Sequence, residues 1–414
     1  MSAVDAWSPL RNKTFAVLWS AALISNIGSW MHDVAAGWFM ATLSPSPAMV
    51  ALVQAATTLP VCLLALPAGT LADRMDKRQL LIIVQIGMLI AAASMGALVL
   101  FGRAGTGTLL AITFALGVGT AILSPTWQSI IPKLVDREHL QPAVALHAVG
   151  VNISRAIGPA IGGAIILAFG IAWPFLINAV SFLAVIAALW WWRPQSTPAS
   201  GKIVHAPFLV AMRHGFFHVG ENAALGNTLW RAALFFFFGS CYWALLPLIA
   251  REQLHGDAGL FGVLVACIGV GAVSGAVLLP RWRARLGLDR IVVAGTVGTA
   301  LALAGFALLR VPALGIVAAL LAGASWIAAL SSLNVAAHLA LPDAMRARGM
   351  AMYAMVFYGC LAIGSIFWGQ VATHLGLTSA LLLAGVGAII GLVPAARLPV
   401  RSSVATSSQT SPAR

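Results

Sequence analysis

Charge is what this sequence has least of: Asp, Glu, Lys and Arg together make up 8% of its 414 residues, against a hydrophobic share of 60%. A water-soluble globule carries about 25% charged residues, so the composition excludes one and makes lipid the main solvent. Only four cysteines occur, Cys62, Cys241, Cys267 and Cys360, each inside an apolar stretch and none with a close partner. That spacing excludes a disulfide framework or a zinc ribbon and leaves them packing roles. There is no His-Glu-x-x-His, no Walker loop and no Gly-x-Ser-x-Gly elbow. Zinc proteolysis and direct ATP coupling therefore lack their parts, no enzyme chemistry or cofactor is suggested, and an ion gradient is the remaining energy source. The start, MSAVDAWSPLRNKTF, lacks the short apolar run and small-residue cleavage site of a removable signal, and reads as a cytoplasmic tail.

What is present in abundance is apolar length. Runs of roughly 20 residues, each long enough to cross the roughly 30 Å hydrocarbon core as a helix, recur about twelve times. The expected spans are 14–40, 48–72, 79–101, 107–131, 142–168 and 171–192, then 228–250, 258–280, 288–309, 312–338, 350–373 and 377–396. The formal net charge of +13 does not gather on one basic domain, so nucleic acid is not an expected partner. Its Lys and Arg instead alternate with the spans, at Arg74, Lys77 and Arg78, at Lys133 and Arg137, at Arg281, Arg283, Arg285 and Arg290, and at Arg346 and Arg348. By the positive-inside rule both termini are cytoplasmic and the number of spans is even.

The organisation expected is a cytoplasmic tail (1–13), a six-helix bundle (14–192), a polar linker (193–227), a second six-helix bundle (228–396) and a second tail (397–414). Within the linker, APFLVAMRHGFFHV reads as a helix lying at the membrane surface. Its His214, His218 and Glu221 are spaced so that one helix could present them to a metal, but a polar interfacial helix gives the same pattern by chance, and no metal is expected. Trp190 to Trp192 read as an interfacial aromatic belt. The two bundles repeat each other: IPKLVDREHLQPAVAL at 131 and LPDAMRARGMAMYAM at 341 both lead from a span through a proline and a charged loop into the next, about 210 residues apart. Two parallel six-helix units related by an axis along the membrane normal describe a class of secondary transporter with its site near the midplane.

The scarce charge concentrates in AGTLADRMDKRQLL, residues 68 to 81. GTLADRMDKR resembles the signature loop of the major facilitator superfamily, Gly-x-Leu-Ala-Asp-Arg-x-Gly-Arg-[Arg/Lys], through Gly69, Leu71, Ala72, Asp73, Arg74 and Arg78, with Asp76 in place of the usual glycine. IPKLVDREHLQPAVAL, SRAIGPAIGG, FLINAVSF and NIGSWMHDVAAGWFMATLSPSP look like the bacterial branch that contains the enterobactin exporter. The resemblance covers roughly residues 10 to 395 and implies an all-α membrane protein of twelve helices in two pseudo-symmetric bundles, working as a monomer. It implies that Gly69, Asp73, Arg74 and Arg78 form a latch, Asp73 meeting the N-terminal end of the eleventh span near Met350, where an anion is favourable. A purely topogenic basic loop is the other reading. Gly158, Pro159, Gly162 and Gly163 resemble the end of the motif that the superfamily's antiporters carry in the fifth span, with Ser154 where that motif has glycine. Close helix packing alone accounts for the same glycines, and Pro159 frees a backbone carbonyl.

Charges at membrane depth are candidates for function. Asp33 shares a helical face with Asn26, Trp30 and Gly37, and Arg155 shares one with Asn152 and Pro159. Two readings stay open: a static structural ion pair, or a proton site at Asp33 whose protonation breaks the pair. Arg231, one turn into its span, reads as an anchor snorkelling to the interface. Trp30, Trp127, Gln128, Phe235, Tyr242, Trp326, Ser332 and Asn334, with Asn26, are expected to line a cavity for a bulky, partly aromatic solute, although aromatics in membrane helices also serve packing. The expectation is proton-coupled export, by alternating access, of a small amphipathic molecule such as a drug, a secondary metabolite or a siderophore, from the bacterial inner membrane. Import or facilitation of a nutrient, and a non-transporting receptor or scaffold on the same fold, are the alternatives.

Overall fold

A computed structural model describes residues 7–193, 222–341 and 345–396. The first unit contains α1 (Lys13–Leu43), α2 (Pro47–Arg74), α3 (Lys77–Leu100), α4 (Thr106–Leu134), α5 (Leu140–Phe169) and α6 (Ala172–Trp191). The second contains α7 (Ala223–Leu248), α8 (Ala258–Leu308), α9 (Pro312–Leu339), α10 (Arg346–Leu375), α11 (Leu377–Ile390) and the short α12 (Leu392–Ala396). Eleven of the described helices are long and apolar enough to cross a membrane. One of them, α8, has 51 residues, about 77 Å at 1.5 Å per residue, far more than one crossing needs. It turns at Gly287, whose φ of 77° lies in the left-handed region that glycine alone enters freely, and so supplies two crossings.

Helix starts follow local chemistry. Asn12 caps α1 by accepting from the Thr14 and Phe15 amides, and its side-chain amide donates to the Leu134 carbonyl at the end of α4, 3.0 Å away. Asn222 does the same in the second unit, accepting from Leu225 N and donating to the Ala340 carbonyl at 2.7 Å. The two asparagines stand 210 positions apart, so the repeat in the sequence is also a repeat of hydrogen bonds. Because Asn222 is the cap, α7 begins at Ala223 rather than at 228.

Around the charged turn, α2 runs on to Arg74 and only Met75 and Asp76 separate it from α3. Asp76 stands where the resemblance expects glycine because it caps α3, accepting from Gln79 N at 2.8 Å. Arg78 donates to the carbonyls of Leu189 (2.6 Å) and Trp190 (3.0 Å), tying α3 to the end of α6 rather than reaching for lipid headgroups. Trp190 and Trp191 are exposed, as a belt requires, but Trp192 is buried against Phe15, Leu81 and Leu189 and belongs to the core.

Arg231 also departs from the expectation. Its side chain is 4% exposed and ion-paired with Asp289, at the start of the second limb of α8, so it is a buried tie between two helices and not a snorkelling anchor. The surface helix of the linker, with His214, His218 and Glu221, and both tails beyond 7 and 396, lie outside the described residues.

Two antiparallel seams join the units. Along one, α2 meets α10: Ala48 N donates to Thr373 Oγ1 (3.1 Å), Gly369 faces Ala48 and Ala51, and Cys62 Sγ donates to the Met355 carbonyl (3.5 Å). Along the other, α5 meets α8: Gly163 lies against Ala258 and Gly259, Gly262 against the Pro159 carbonyl, and Gly269 against Arg155 and Ala156. A Cβ at Gly269 would sit 3.1 Å from the Arg155 carbonyl, the group that Pro159 leaves without its helical donor. Arg251, in the π-helical turn Ile249–Gln253, adds a hydrogen bond to the Ala41 carbonyl. The units are thus joined at the face opposite the basic connections.

Candidate functional site

Beneath that closure, α1, α2 and α5 of the first unit and α7, α8, α9 and α10 of the second enclose a cavity of about 530 Å³. Its walls are mostly aromatic and aliphatic, including Trp30, Trp243, Phe261, Trp326 and Phe357, with Asp33, Gln54, Arg155 and Asn334 among them. A largely apolar wall with a few polar groups is the ordinary composition of a small-molecule site. The face of α1 that carries Trp30, Asp33 and Gly37 contributes three of those positions.

A second cavity of about 360 Å³ lies within the first unit, walled by α1 to α6. Asn26, Trp127 and Gln128 line this one rather than the cavity between the units. Trp30, Asp33 and Thr57 line both, so the acidic side chain, itself exposed, stands where the two spaces meet.

Arg155 and Asp33 face the same cavity, but no ion pair joins them among the described residues. The Arg155 guanidinium lies instead over the Trp30 ring, its Cζ 5.4 Å from the centroid, in cation–π geometry. The static pair drawn from opposite charges is not formed here.

Three expected cavity residues lie elsewhere. Phe235 packs edge-on against Phe236 and tilted against Trp326, and Tyr242 is fully buried against Phe306 and Trp326. Their helical faces turn into the core of the second unit, which periodicity of aromatics alone does not reveal. Ser332 is buried and accepts from Arg283 Nε at 3.2 Å, while Ser331 accepts from the same guanidinium at 2.6 Å, so it serves a tie between α8 and α9.

The glycine motif sits against α1 as well as α8. Gly158 meets Trp30 Cβ and the Ile27 carbonyl, and Gly162 meets Met31 Cα, at 3.0 Å from where a Cβ would stand. At Gly69, by contrast, no described atom lies within 4 Å of such a Cβ. Gly69, Arg74 and Arg78 sit at the basic end of α2 and the start of α3; the side chain of Asp73 lies outside the described set.

Sequence reasoning missed His32, Gln85, Thr113 and Asn178, all buried and all lining the inner cavity. The available signal was a polar residue isolated within an apolar run, as at Gln85 in 79–101 and Asn178 in 171–192.

The family of transmembrane secretion effectors, a branch of the major facilitator superfamily, matches residues 4–413. The chain belongs to this family. It is 25% identical over 265 residues to the staphyloferrin A transporter of Staphylococcus aureus, covering 63% of this chain and 66% of that protein. To the enterobactin exporter EntS of Citrobacter koseri it is 27% identical over 343 residues, 78% of this chain and 76% of that one. Matched stretches thus span a little under two thirds of the first relative and about three quarters of the second. The fold is that of the nucleoside transporter NupG (TM-score 0.79, 11% identity, 93% of this chain and 99% of that one). It is equally that of a bacterial homologue of the lysosomal transporter Spinster (TM-score 0.73, 15% identity, 95% and 98%). The chain is accordingly a multi-pass membrane protein with the major facilitator fold, its described residues almost entirely helical.

Proposed function

We propose that this transporter exports a small amphipathic molecule, with siderophores the leading class and drugs or secondary metabolites next, in exchange for protons. The observation that carries the reading is Asp33: one exposed carboxylate in an aromatic cavity between two units. Aromatic walls suit the apolar part of such a solute. A carboxylate at membrane depth suits a proton that must be released before the solute leaves. Likeness to a staphyloferrin A transporter and an enterobactin exporter favours siderophores, and the second favours export.

In this reading the two bundles, 14–192 and 228–396, rock about the seams, as a monomer in the bacterial inner membrane with both termini in the cytoplasm. The basic connections hold that orientation. Gly69, Asp73, Arg74 and Arg78 form the latch, Asp73 engaging the start of α10 when the cytoplasmic side closes. The glycines Gly158, Gly162 and Gly163 let α5 slide closely on α1 and α8.

The test is substrate-dependent proton movement. Purified protein in liposomes with an internal pH dye is challenged with lipophilic cations, antibiotics and catecholate siderophores. A pH change given by the wild type and lost in Asp33→Asn, with downhill solute exchange retained, supports antiport. Full uphill transport by Asp33→Asn sinks the proton site, and solute movement without any pH change sinks proton coupling.

A further inference from the structure

The inner cavity differs in chemistry from the cavity between the units. More than half of its lining residues carry polar side chains, and all of them belong to the first unit. Three of its lining side chains, His32, Gln85 and Thr113, are buried to 2–3% exposure, yet both ring nitrogens of His32, Oε1 of Gln85 and Oγ1 of Thr113 have no hydrogen-bond partner among the described residues. Buried polar atoms are nearly always paired, and an unpaired one costs about as much as a lost hydrogen bond. Three on three different helices around one space are a preformed set of hydrogen-bonding groups: α1 supplies His32, α3 Gln85 and α4 Thr113. Other polar groups of the same lining are already engaged, Thr120 with the Leu116 carbonyl and Asn178 with Ser181.

The unengaged set is mainly accepting: a carboxamide oxygen, a hydroxyl oxygen and one nitrogen of a neutral imidazole, with the Asp33 carboxylate at the entrance. Acceptors of that kind recognise a group that donates. We propose that the inner cavity is a second substrate subsite, which takes the hydrogen-bond-donating end of the transported molecule, a hydroxylated or amino-bearing head, while its apolar end stays between the aromatic walls. Trp30, Asp33 and Thr57 are the passage between the two subsites. The proposal rests on the reading that the solute is amphipathic. It adds that the polar end is held by the first unit alone, whereas the apolar end lies between the two units.

The test uses a matched pair of neutral probes, N-benzyl-2,3-dihydroxybenzamide and its 2,3-dimethoxy counterpart, titrated calorimetrically into the purified full chain. A site built to bond a donor rejects an analogue without it, and the wild type is expected to bind the dihydroxy probe at least about tenfold more tightly. In Gln85→Met/Thr113→Val, which keeps shape but removes acceptors, the ratio falls to about one through weaker binding of the dihydroxy probe. Thr113→Val alone gives an intermediate ratio and serves if the double variant does not fold. Trp326→Ala, at the other subsite, weakens both probes alike and preserves the ratio. An unchanged ratio in the Gln85 and Thr113 variants overturns the subsite, as does a wild type that binds both probes equally. A wild type that binds neither overturns the amphipathic-solute reading and the subsite with it.

Discussion

The two units share a frame but not an interior. Asn12 and Asn222 make the same pair of contacts 210 residues apart, and the α2–α10 and α5–α8 seams are each other's counterparts under the exchange of units. The same offset sets His32 and Asp33 opposite Tyr242 and Trp243. On the first side the positions face the inner cavity; on the second, Tyr242 is fully buried in an aromatic cluster with Phe236, Phe306 and Trp326, and Trp243 lines the cavity between the units. The two units share these contacts, while the interior of the first is hollow and that of the second is packed with aromatic rings.

Substitutions can break that contrast. Truncating the packed interior with Phe236→Ala removes a fully buried ring that touches Phe235, Trp326 and Phe357, and should cost about 3–5 kcal/mol, read as thermal unfolding in detergent. Gln85→Met in the hollow interior should cost under about 1 kcal/mol, because it removes an unpaired buried amide oxygen and keeps the volume. Equal losses at the two positions would erase the distinction. Arg231→Met removes the buried cation that pairs with Asp289; since that carboxylate is 40% exposed, the loss should be about 2–3 kcal/mol, below that of a fully buried pair, and Asp289→Asn in the same background should recover part of it. At the seam, Gly262→Leu drives a side chain into the Pro159 carbonyl, costs about 1–3 kcal/mol and parts α5 from α8, measurable as a longer spin-label distance between the two helices. The smallest effects sharpen the likeness: Asn12→Ala and Asn222→Ala should each cost about 1 kcal/mol, and by the same amount if the frame is as symmetric as its hydrogen bonds.

Nearly all of the fold was legible because lipid leaves few options: an apolar run must bond its backbone internally, so run lengths gave the helices, with starts at 258, 312 and 377 matching α8, α9 and α11. Where the reading slipped, a side chain far away decided. Ala223 became the start of α7 because Asn222 bonds across to Ala340, and Arg231 turned inward because Asp289 lies beyond the Gly287 turn. The site was less legible. Asp33, Arg155, Trp30, Trp326 and Asn334 were identified by charge or size alone, and all line the cavity between the units. His32, Gln85 and Thr113 gain meaning only when α1, α3 and α4 converge on one space, while Phe235 and Tyr242 look alike in sequence to aromatics that do face the cavity.

Cys62 gives the seam a reporter of its own. Its thiol, on α2, is held by the Met355 carbonyl of α10, and Gly359 passes 3.2 Å from the sulfur as a Cβ would measure it. A glycine there keeps the thiol snug without crushing it. Any motion that separates the helices releases the sulfur, so the alkylation rate of Cys62, read apart from Cys267 and Cys360 by peptide mass spectrometry, clocks the opening of the seam without an engineered label.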